Sequence, residues 1–219
     1  MAHDTRFNHP RGPVRFTPIE LSLPSIADEA TSGRHTGVHV SNCIKHLLLQ
    51  LDPDKYNSIA NDDVRLLWEM GLAWEDIALS RAFWKRILKR TFPKSSFRQM
   101  QAQCDDIWGT CDMLSLGTKR LITESKLTQL SMSHDIAGVK FWSWRVQMMS
   151  YCHMWDARDA ILPVMFLNGD YKPKRMVPRA WDVNFKRSEI AENWAMMLQA
   201  RDEILAAQKA AYKKPRNKV

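Results

Sequence analysis

The chain has 219 residues, of which 45% are hydrophobic and 26% are charged, and its formal net charge is +8. These values are typical of a globular domain that is large enough to bury a core, and a basic balance favours a polyanionic partner. The sequence contains no run of about 18 apolar residues and no apolar signal core near Met1, so we expect neither a membrane-spanning helix nor a secretory signal. We therefore expect a cytoplasmic protein that does not enter the membrane.

Three segments are expected from the distribution of residue types. Residues 1–35 contain four prolines and no sustained hydrophobic period, which predicts an extended N-terminal arm that is disordered or lies on a partner. Such an arm could join copies of this chain, or join it to other proteins. Residues 36–212 form the expected domain, and residues 213–219 form a basic tail. The prolines are Pro10, Pro13, Pro18 and Pro24.

The first helix is predicted before Asp52-Pro53, with Ser41 as its N-cap and with apolar residues from Ile44 to Leu51 at helical spacing. His39 precedes this helix. A histidine in that position is expected to cap or to pack rather than to bind a metal.

A long helix is predicted from Asp62 to Lys89, and Trp74 belongs to its apolar stripe. Glu75 flanks the buried side, which on a bare helix would leave it solvated. The end of the helix carries a basic stripe that could bind a phosphate backbone or could simply be a solvated face. Its members are Arg81, Lys85, Arg86, Lys89 and Arg90, and the last four are the expected DNA contacts.

A β-hairpin occupies the centre of the chain. Residues 108–114 and 121–127 each predict a strand, and Gly117 begins the turn between them. An earlier strand, 98–104, leads into Asp105 and Asp106, which are predicted to be turn residues rather than ligands. Paired strands would bring Asp112 and Glu124 together, because cross-strand Cβ atoms lie ~5 Å apart. Lys126 shares the face of Glu124, so the group could bind a hard divalent cation, or could be a solvated charge cluster.

The C-terminal half is predicted to contain two helices and two strands. A helix from Asp135 to Trp155 packs through an aromatic face and contains Arg145 and a half-buried Gln147. Strands are predicted at 159–167 and 181–185, as antiparallel neighbours, followed by a helix from Ser188 to about Tyr212. The loop between the strands is basic and could contact DNA through Lys172, Lys174 and Arg175.

Four matches in sequence order resemble the PD-(D/E)XK nuclease superfamily, and in particular its RecB-like and lambda-exonuclease-like branch, which includes short phage-encoded nucleases. The matches lie within residues 62–185: Glu75 on a helix, Gly109-x-x-Asp112 on a strand, Glu124-x-Lys126 on the next strand, and Gln147-x-x-x-Tyr151 on a helix. The resemblance implies an α/β (α+β) fold with a restriction-endonuclease-like core. That core is a mixed central sheet of about four or five strands, flanked by helices.

The resemblance also implies a role for each matched residue. Asp112 and Glu124 would bind Mg²⁺ or Mn²⁺ with the backbone carbonyl of Ser125, and Glu75 would reach the metal through water. Lys126 would position the attacking water. The Gln147 amide and the Tyr151 phenol would line the site. Arg145 and the two basic segments named above are the expected DNA contacts.

The expected function is metal-dependent hydrolysis of DNA, with action on DNA ends favoured, in phage recombination or genome processing. Two alternatives remain open. One is a virion or head-completion component that keeps the fold to bind DNA ends, and the other is a helical DNA-binding module without catalysis. Some RecB-like nucleases hold an iron–sulfur cluster on cysteines near the C-terminus, but no cysteine follows Cys152 here, so no such cluster is expected. All four cysteines are expected to be reduced, and most to be buried.

Overall fold

A mixed sheet of eight strands, with helices on both faces, makes up the part of the chain that the computed structural model describes: residues 15–19, 37–51, 62–171 and 175–212. The fold is thus a mixed α/β fold, as expected. Its elements, in chain order, are β1 (Arg15–Ile19), β2 (Val38–His39), α1 (Val40–Leu51), α2 (Asp62–Ala78), α3 (Arg81–Arg86), β3 (Ser96–Cys104), β4 (Ile107–Leu116), β5 (Arg120–Thr123), β6 (Lys126–Thr128), a 3-10 turn (Val139–Phe141), α4 (Trp142–Met154), β7 (Asp159–Phe166), β8 (Val177–Asn184) and α5 (Arg187–Tyr212).

The sheet contains a fork. Its main strand order is β1-β8-β7-β5-β4-β2, and β3 pairs with β4 along the edge that β5 and β2 do not use. Strands β5 and β6 follow β7 in one parallel register, because Thr123 pairs with Ile161 and Lys126 pairs with Val164. The β4–β5 ladder, in contrast, ends at the pair Met113 and Thr123. Beyond this pair the chain continues along β7 as β6 and is no longer paired with β4, and we call this point the fork.

Strand β7 lies between the two halves of the core. Seven of its eight residues are buried, which is typical of a central strand covered on both faces. Leu162 and Val164 belong to the core with α1, α4 and α5, whereas Ile161 and Met165 belong to the core with α2 and α3. The alternation along β7 therefore places helices on opposite faces of the sheet.

The sheet is larger than the four or five strands that the sequence predicted, because short strands carry little hydrophobic pattern. Strand β1 lies inside the predicted N-terminal arm and pairs with β8 of the same chain. Strands β2 and β6 have only two and three residues. Residues 1–14, 20–36 and 213–219, which include the remainder of the arm and the basic tail, lie outside the described residues.

Three predicted helix boundaries were wrong. The helix expected from Asp62 to Lys89 ends at Ala78, and α3 begins anew because the Ser80 side chain accepts a hydrogen bond from the Phe83 amide at 3.0 Å. The helix expected from Asp135 begins at Trp142. Ser41 is not the N-cap of α1 but lies in its first turn.

Two other local predictions are confirmed. His39 has the expected capping role, since its Nδ1 accepts from the Ser41 amide at 3.1 Å. Asp105 and Asp106 form the turn between β3 and β4, both with positive φ angles of 49° and 56°. Among the described helices, none has the length and apolar character needed to cross a membrane.

Candidate metal centre

The fork in the sheet brings Asp112 and Glu124 together. The two residues lie just beyond Met113 and Thr123, the last pair of the β4–β5 ladder. The Asp112 amide N–H therefore faces the Glu124 carboxylate, at 3.5 Å, instead of a strand carbonyl. The Ser125 backbone N–H and hydroxyl both donate to Asp112 Oδ2, at 2.6 and 2.7 Å. Glu124 is 2% exposed. The backbone therefore holds two carboxylates at the point where the strands part.

Lys126 is held between the sheet and helix α4. Its Nζ donates to Glu124 Oε1 at 2.7 Å and to Gln147 Oε1 at 2.7 Å. The Gln147 amide in turn donates to the Tyr151 hydroxyl at 3.0 Å. Four of the matched motif residues, from Glu124 to the buried Tyr151, thus form one chain of hydrogen bonds, which restricts where the ammonium group can lie.

Gly109 is required because the Tyr151 ring passes close to the backbone of β4. A Cβ atom on Gly109 would lie 2.8 Å from Tyr151 Cε1 and 2.9 Å from Val40 Cγ2. Both separations are well below ordinary carbon contacts of ~3.5–4.0 Å. The glycine of Gly109-x-x-Asp112 therefore makes room for the tyrosine that supports Gln147.

Glu75 reaches the same site from helix α2. Its Oε1 accepts a hydrogen bond from Gln99 Nε2. Gln99 faces Asp112 across the β3–β4 ladder, which is interrupted there, and it has a φ of 50°. A non-glycine residue in this left-handed region costs on the order of 1–3 kcal/mol, a strain that is typical of functional sites. The sequence analysis missed Gln99, because a strained backbone conformation leaves no hydrophobic pattern.

Crowding of the carboxyl groups perturbs their pKa values. Burial, and then the Asp112 charge, raise the pKa of Glu75 to about 7 and that of Glu124 to about 8. Burial also raises the pKa of Asp112. Burial by itself lowers the pKa of Lys126. The negative charges of Glu124 and Asp112 raise it by more, so the pKa of Lys126 is raised overall. When ionised, the three acids beside one ammonium group carry an excess of negative charge, which a divalent cation would neutralise.

The three acids line a cavity of about 790 Å³ together with a group of apolar side chains, which we call its apolar wall. Leu67 and Leu72 of α2 form part of the apolar wall, together with Leu130 and Tyr171. The Tyr171 hydroxyl donates to the Gln129 carbonyl at 2.7 Å, which fixes the ring at the cavity edge. Tyr171 was not predicted from the sequence, since a tyrosine in a polar turn has no distinguishing pattern.

The predicted DNA contacts do not all lie on the surface. Arg145 is 5% exposed, and its guanidinium donates to the Gly138 carbonyl at 2.8 Å and to that of Ile136 at 3.4 Å. The prediction that Arg145 contacts DNA was wrong, because this side chain satisfies buried carbonyl groups. Arg90 lies in the α3–β3 loop and binds both carboxylate oxygens of Asp182, which raises its pKa.

The other predicted contacts are exposed or undescribed. Lys85 and Lys89 are exposed and line a basic cavity of about 620 Å³ with Arg81 and Lys94. Arg86 and Arg175 are also exposed. Lys172 and Lys174 lie outside the described residues.

Fold and site together define a mixed α/β protein with a carboxylate-rich centre at a fork in its sheet. Neither a protein-family model nor a curated protein matches the sequence. The chain is similar to the crystal structure of SSO0001, with 12% identity over 85% of this chain and 82% of that chain and a TM-score of 0.46. It is also similar to a phage related exonuclease from Haemophilus somnus 129PT, with 13% identity over 77% of this chain and 83% of that chain and a TM-score of 0.41. Neither similarity carries an argument about activity.

Proposed function

We propose that this chain is a metal-dependent deoxyribonuclease of the PD-(D/E)XK type, which hydrolyses phosphodiester bonds at DNA ends. One observation carries the proposal. At the open fork of the sheet, the carboxylates of Asp112 and Glu124 lie beside the Lys126 ammonium, which is itself held at 2.7 Å by Gln147. The resemblance to PD-(D/E)XK nucleases requires two carboxylates and a lysine that lie close together in this way.

The residues present fit a hard divalent cation such as Mg²⁺ or Mn²⁺. All the candidate ligands are oxygen atoms, and the pKa values of Glu75 and Glu124 are raised by burial and then by the charge of Asp112, so a bound divalent cation would favour the charged carboxylates. Asp112 and Glu124 would hold the ion with the Ser125 carbonyl, and Glu75 would act through water. When bound, the cation polarises the scissile phosphate and supplies a water of lowered pKa.

The remaining polar residues position and stabilise charge. The Lys126 ammonium is directed by Glu124 and Gln147, so it can orient the attacking water and stabilise negative charge that develops on the phosphate. Gln147 is fixed in turn by the Tyr151 hydroxyl. Because these groups are preorganised by hydrogen bonds, little rearrangement is needed as the reaction proceeds.

The apolar wall of the cavity favours a nucleobase over a second phosphate. Tyr171 offers a ring that is 44% exposed, and base stacking on an aromatic side chain contributes ~1–3 kcal/mol. A base that stacks on this ring would be unpaired, so we propose that the terminal nucleotide of the DNA frays before cleavage. Exposed Lys85 and Lys89 would hold the flanking phosphates, and the protein would act in the host cytoplasm if it is phage-encoded.

The experiment is digestion of linear and closed circular DNA with Mg²⁺ or Mn²⁺, with a chelator as control. We expect Asp112→Asn and Lys126→Ala to lower the cleavage rate by on the order of 10³-fold, since each removes charge at the reacting centre. Charge-matched controls at exposed positions, Asp202→Asn and Lys140→Ala, should retain the wild-type rate. Undiminished cleavage by both site variants would contradict the proposal.

The alternative of a structural DNA-end-binding component gains no specific support from the described residues. The described part of the N-terminal arm, β1, pairs with β8 of the same chain. Salt-sensitive DNA binding without cleavage under any metal condition would nonetheless favour that alternative over the nuclease.

A further inference from the structure

A second cluster of ligand atoms lies at the opposite end of β4 from Leu116, where the β3–β4 turn meets helices α4 and α5. The Cys104 sulfur is 3.9 Å from His153 Nε2 and 3.6 Å from Asp105 Oδ2. One ligand atom from each of these three residues lies within 4.8 Å of the other two. None of the three belongs to the site at the fork.

These separations are close to those of a zinc coordination shell. Zn²⁺ binds sulfur at about 2.3 Å and nitrogen or oxygen at about 2.0–2.2 Å, so the donor atoms of a tetrahedral site lie about 3.5 Å apart. The two sulfur distances therefore exceed the required values by only a few tenths of an ångström. The third separation, between the Asp105 oxygen and the His153 nitrogen, is at most 4.8 Å, so the carboxylate and the imidazole would move towards each other when the ion binds.

Trp194 of α5 holds two of the three ligands in place. Its ring stacks on the His153 ring, with centroids 4.2 Å apart and planes 11° from parallel, and its Nε1 donates to Asp105 Oδ2 at 2.9 Å. Arg201 donates to the Asp105 backbone carbonyl at 2.6 Å and fixes the turn. A buried residue that orients two ligand side chains at once is the kind of support that protein metal sites use.

We propose that Cys104, Asp105 and His153 bind a zinc ion, with water in the fourth position. A thiolate and an imidazole select zinc over magnesium and calcium, which prefer oxygen ligands. The ion would join the β3–β4 turn to α4 and would stiffen β4, the strand that carries Asp112. This proposal does not depend on the proposed function, because no ligand is shared.

The sequence could not reveal this site. Cys104 and His153 are 49 residues apart, and neither belongs to a short motif with zinc spacing. Asp105 was predicted to be a turn residue, and it does lie in a turn. That turn is what places its carboxylate beside the cysteine.

The test is to load the purified full-length chain with zinc and measure the bound metal by mass spectrometry. Cobalt loading then reports ligation by sulfur through a thiolate-to-metal charge-transfer absorption band. We expect one zinc per chain, and we expect Cys104→Ser and His153→Gln to weaken binding by ~100-fold or more. Trp194→Phe keeps the stacking and removes the hydrogen bond to Asp105, so it should weaken binding by about 10-fold.

Two controls separate this site from other metal sites and from misfolding. Asp106→Asn alters the neighbouring turn acid, and Asp112→Asn alters the fork, so both variants should keep the zinc and the charge-transfer band. Circular dichroism identifies any variant that fails to fold. If Cys104→Ser or His153→Gln does not fold, Asp105→Asn replaces it as a variant that removes a ligand. Cobalt binding without the band, or equal zinc content in Cys104→Ser and wild type, would overturn the proposal.

Discussion

Substitution of Gly109 by alanine is expected to damage the site without touching any polar group. The added methyl would lie 2.8 Å from Tyr151 Cε1 and 2.9 Å from Val40 Cγ2, so the ring must move by ~1 Å to restore ordinary contacts. Overpacking of this kind costs about 1–3 kcal/mol, which for a chain of this size lowers Tm by roughly 2–4 °C per kcal/mol. A shift of the Tyr151 hydroxyl also displaces Gln147 and through it Lys126.

The assay combines thermal unfolding with the cleavage rate on linear DNA. A displacement of ~1 Å in a positioning group can cost ~100-fold in rate, so we expect Gly109→Ala to lose activity while it remains folded. Gly71→Ala is the stability control, because an added Cβ would meet no atom within 4 Å beyond its chain neighbours and the backbone of its own helix. That helical substitution should leave stability unchanged or raise it by up to ~1 kcal/mol. Wild-type stability and wild-type cleavage in Gly109→Ala would refute the reasoning.

Three further predictions follow from the site. The raised pKa values of Glu124, about 8, and Glu75, about 7, mean that the folded chain holds protons that the unfolded chain has lost between pH 5 and 8. The Tm of the metal-free protein should therefore fall as pH rises through this window, and Glu124→Gln should flatten the fall; an unchanged slope would contradict the assignment. Tyr171→Ala should weaken binding of single-stranded DNA by about 5- to 150-fold, measured by fluorescence anisotropy, and equal affinity would exclude stacking. Arg145→Met should lower Tm, because it leaves buried carbonyl groups unpaired, and it should not change the salt dependence of DNA binding. Lys89→Ala should do the opposite: it should reduce the salt dependence of DNA binding and leave Tm unchanged.

The part of the site that lies on the hairpin was predictable from the sequence, because it depends on local geometry. Residues two apart on an extended segment share a face, and antiparallel strands place partners side by side, so spacing could place Asp112, Glu124 and Lys126 near one another but could not reveal the fork at which the strands part. The start of α3 was also readable, since Ser80 precedes it as an N-cap. That signal was overlooked because the hydrophobic period continues across it.

Other features depend on contacts between distant parts of the chain. Arg145 lies in a helix whose polar positions look solvent-facing, yet the preceding turn wraps over it and buries its guanidinium. The contact between Glu75 and Gln99 joins a helix to a strand, and it requires a left-handed backbone at Gln99. Strand β1 has too few residues to show a period. None of these features is encoded in residue spacing.

The shared register of β5 and β6 along β7 limits how this chain can change in length. Side chains alternate on a strand, so inserting or deleting one residue between Thr123 and Lys126 would turn Glu124 or Lys126 to the opposite face of the sheet. No nearby substitution could restore that orientation. The turn at Gly117, which leads out to solvent, carries no such restriction. We therefore expect relatives of this protein to vary in length at the turn and never within the two residues that separate β5 from β6.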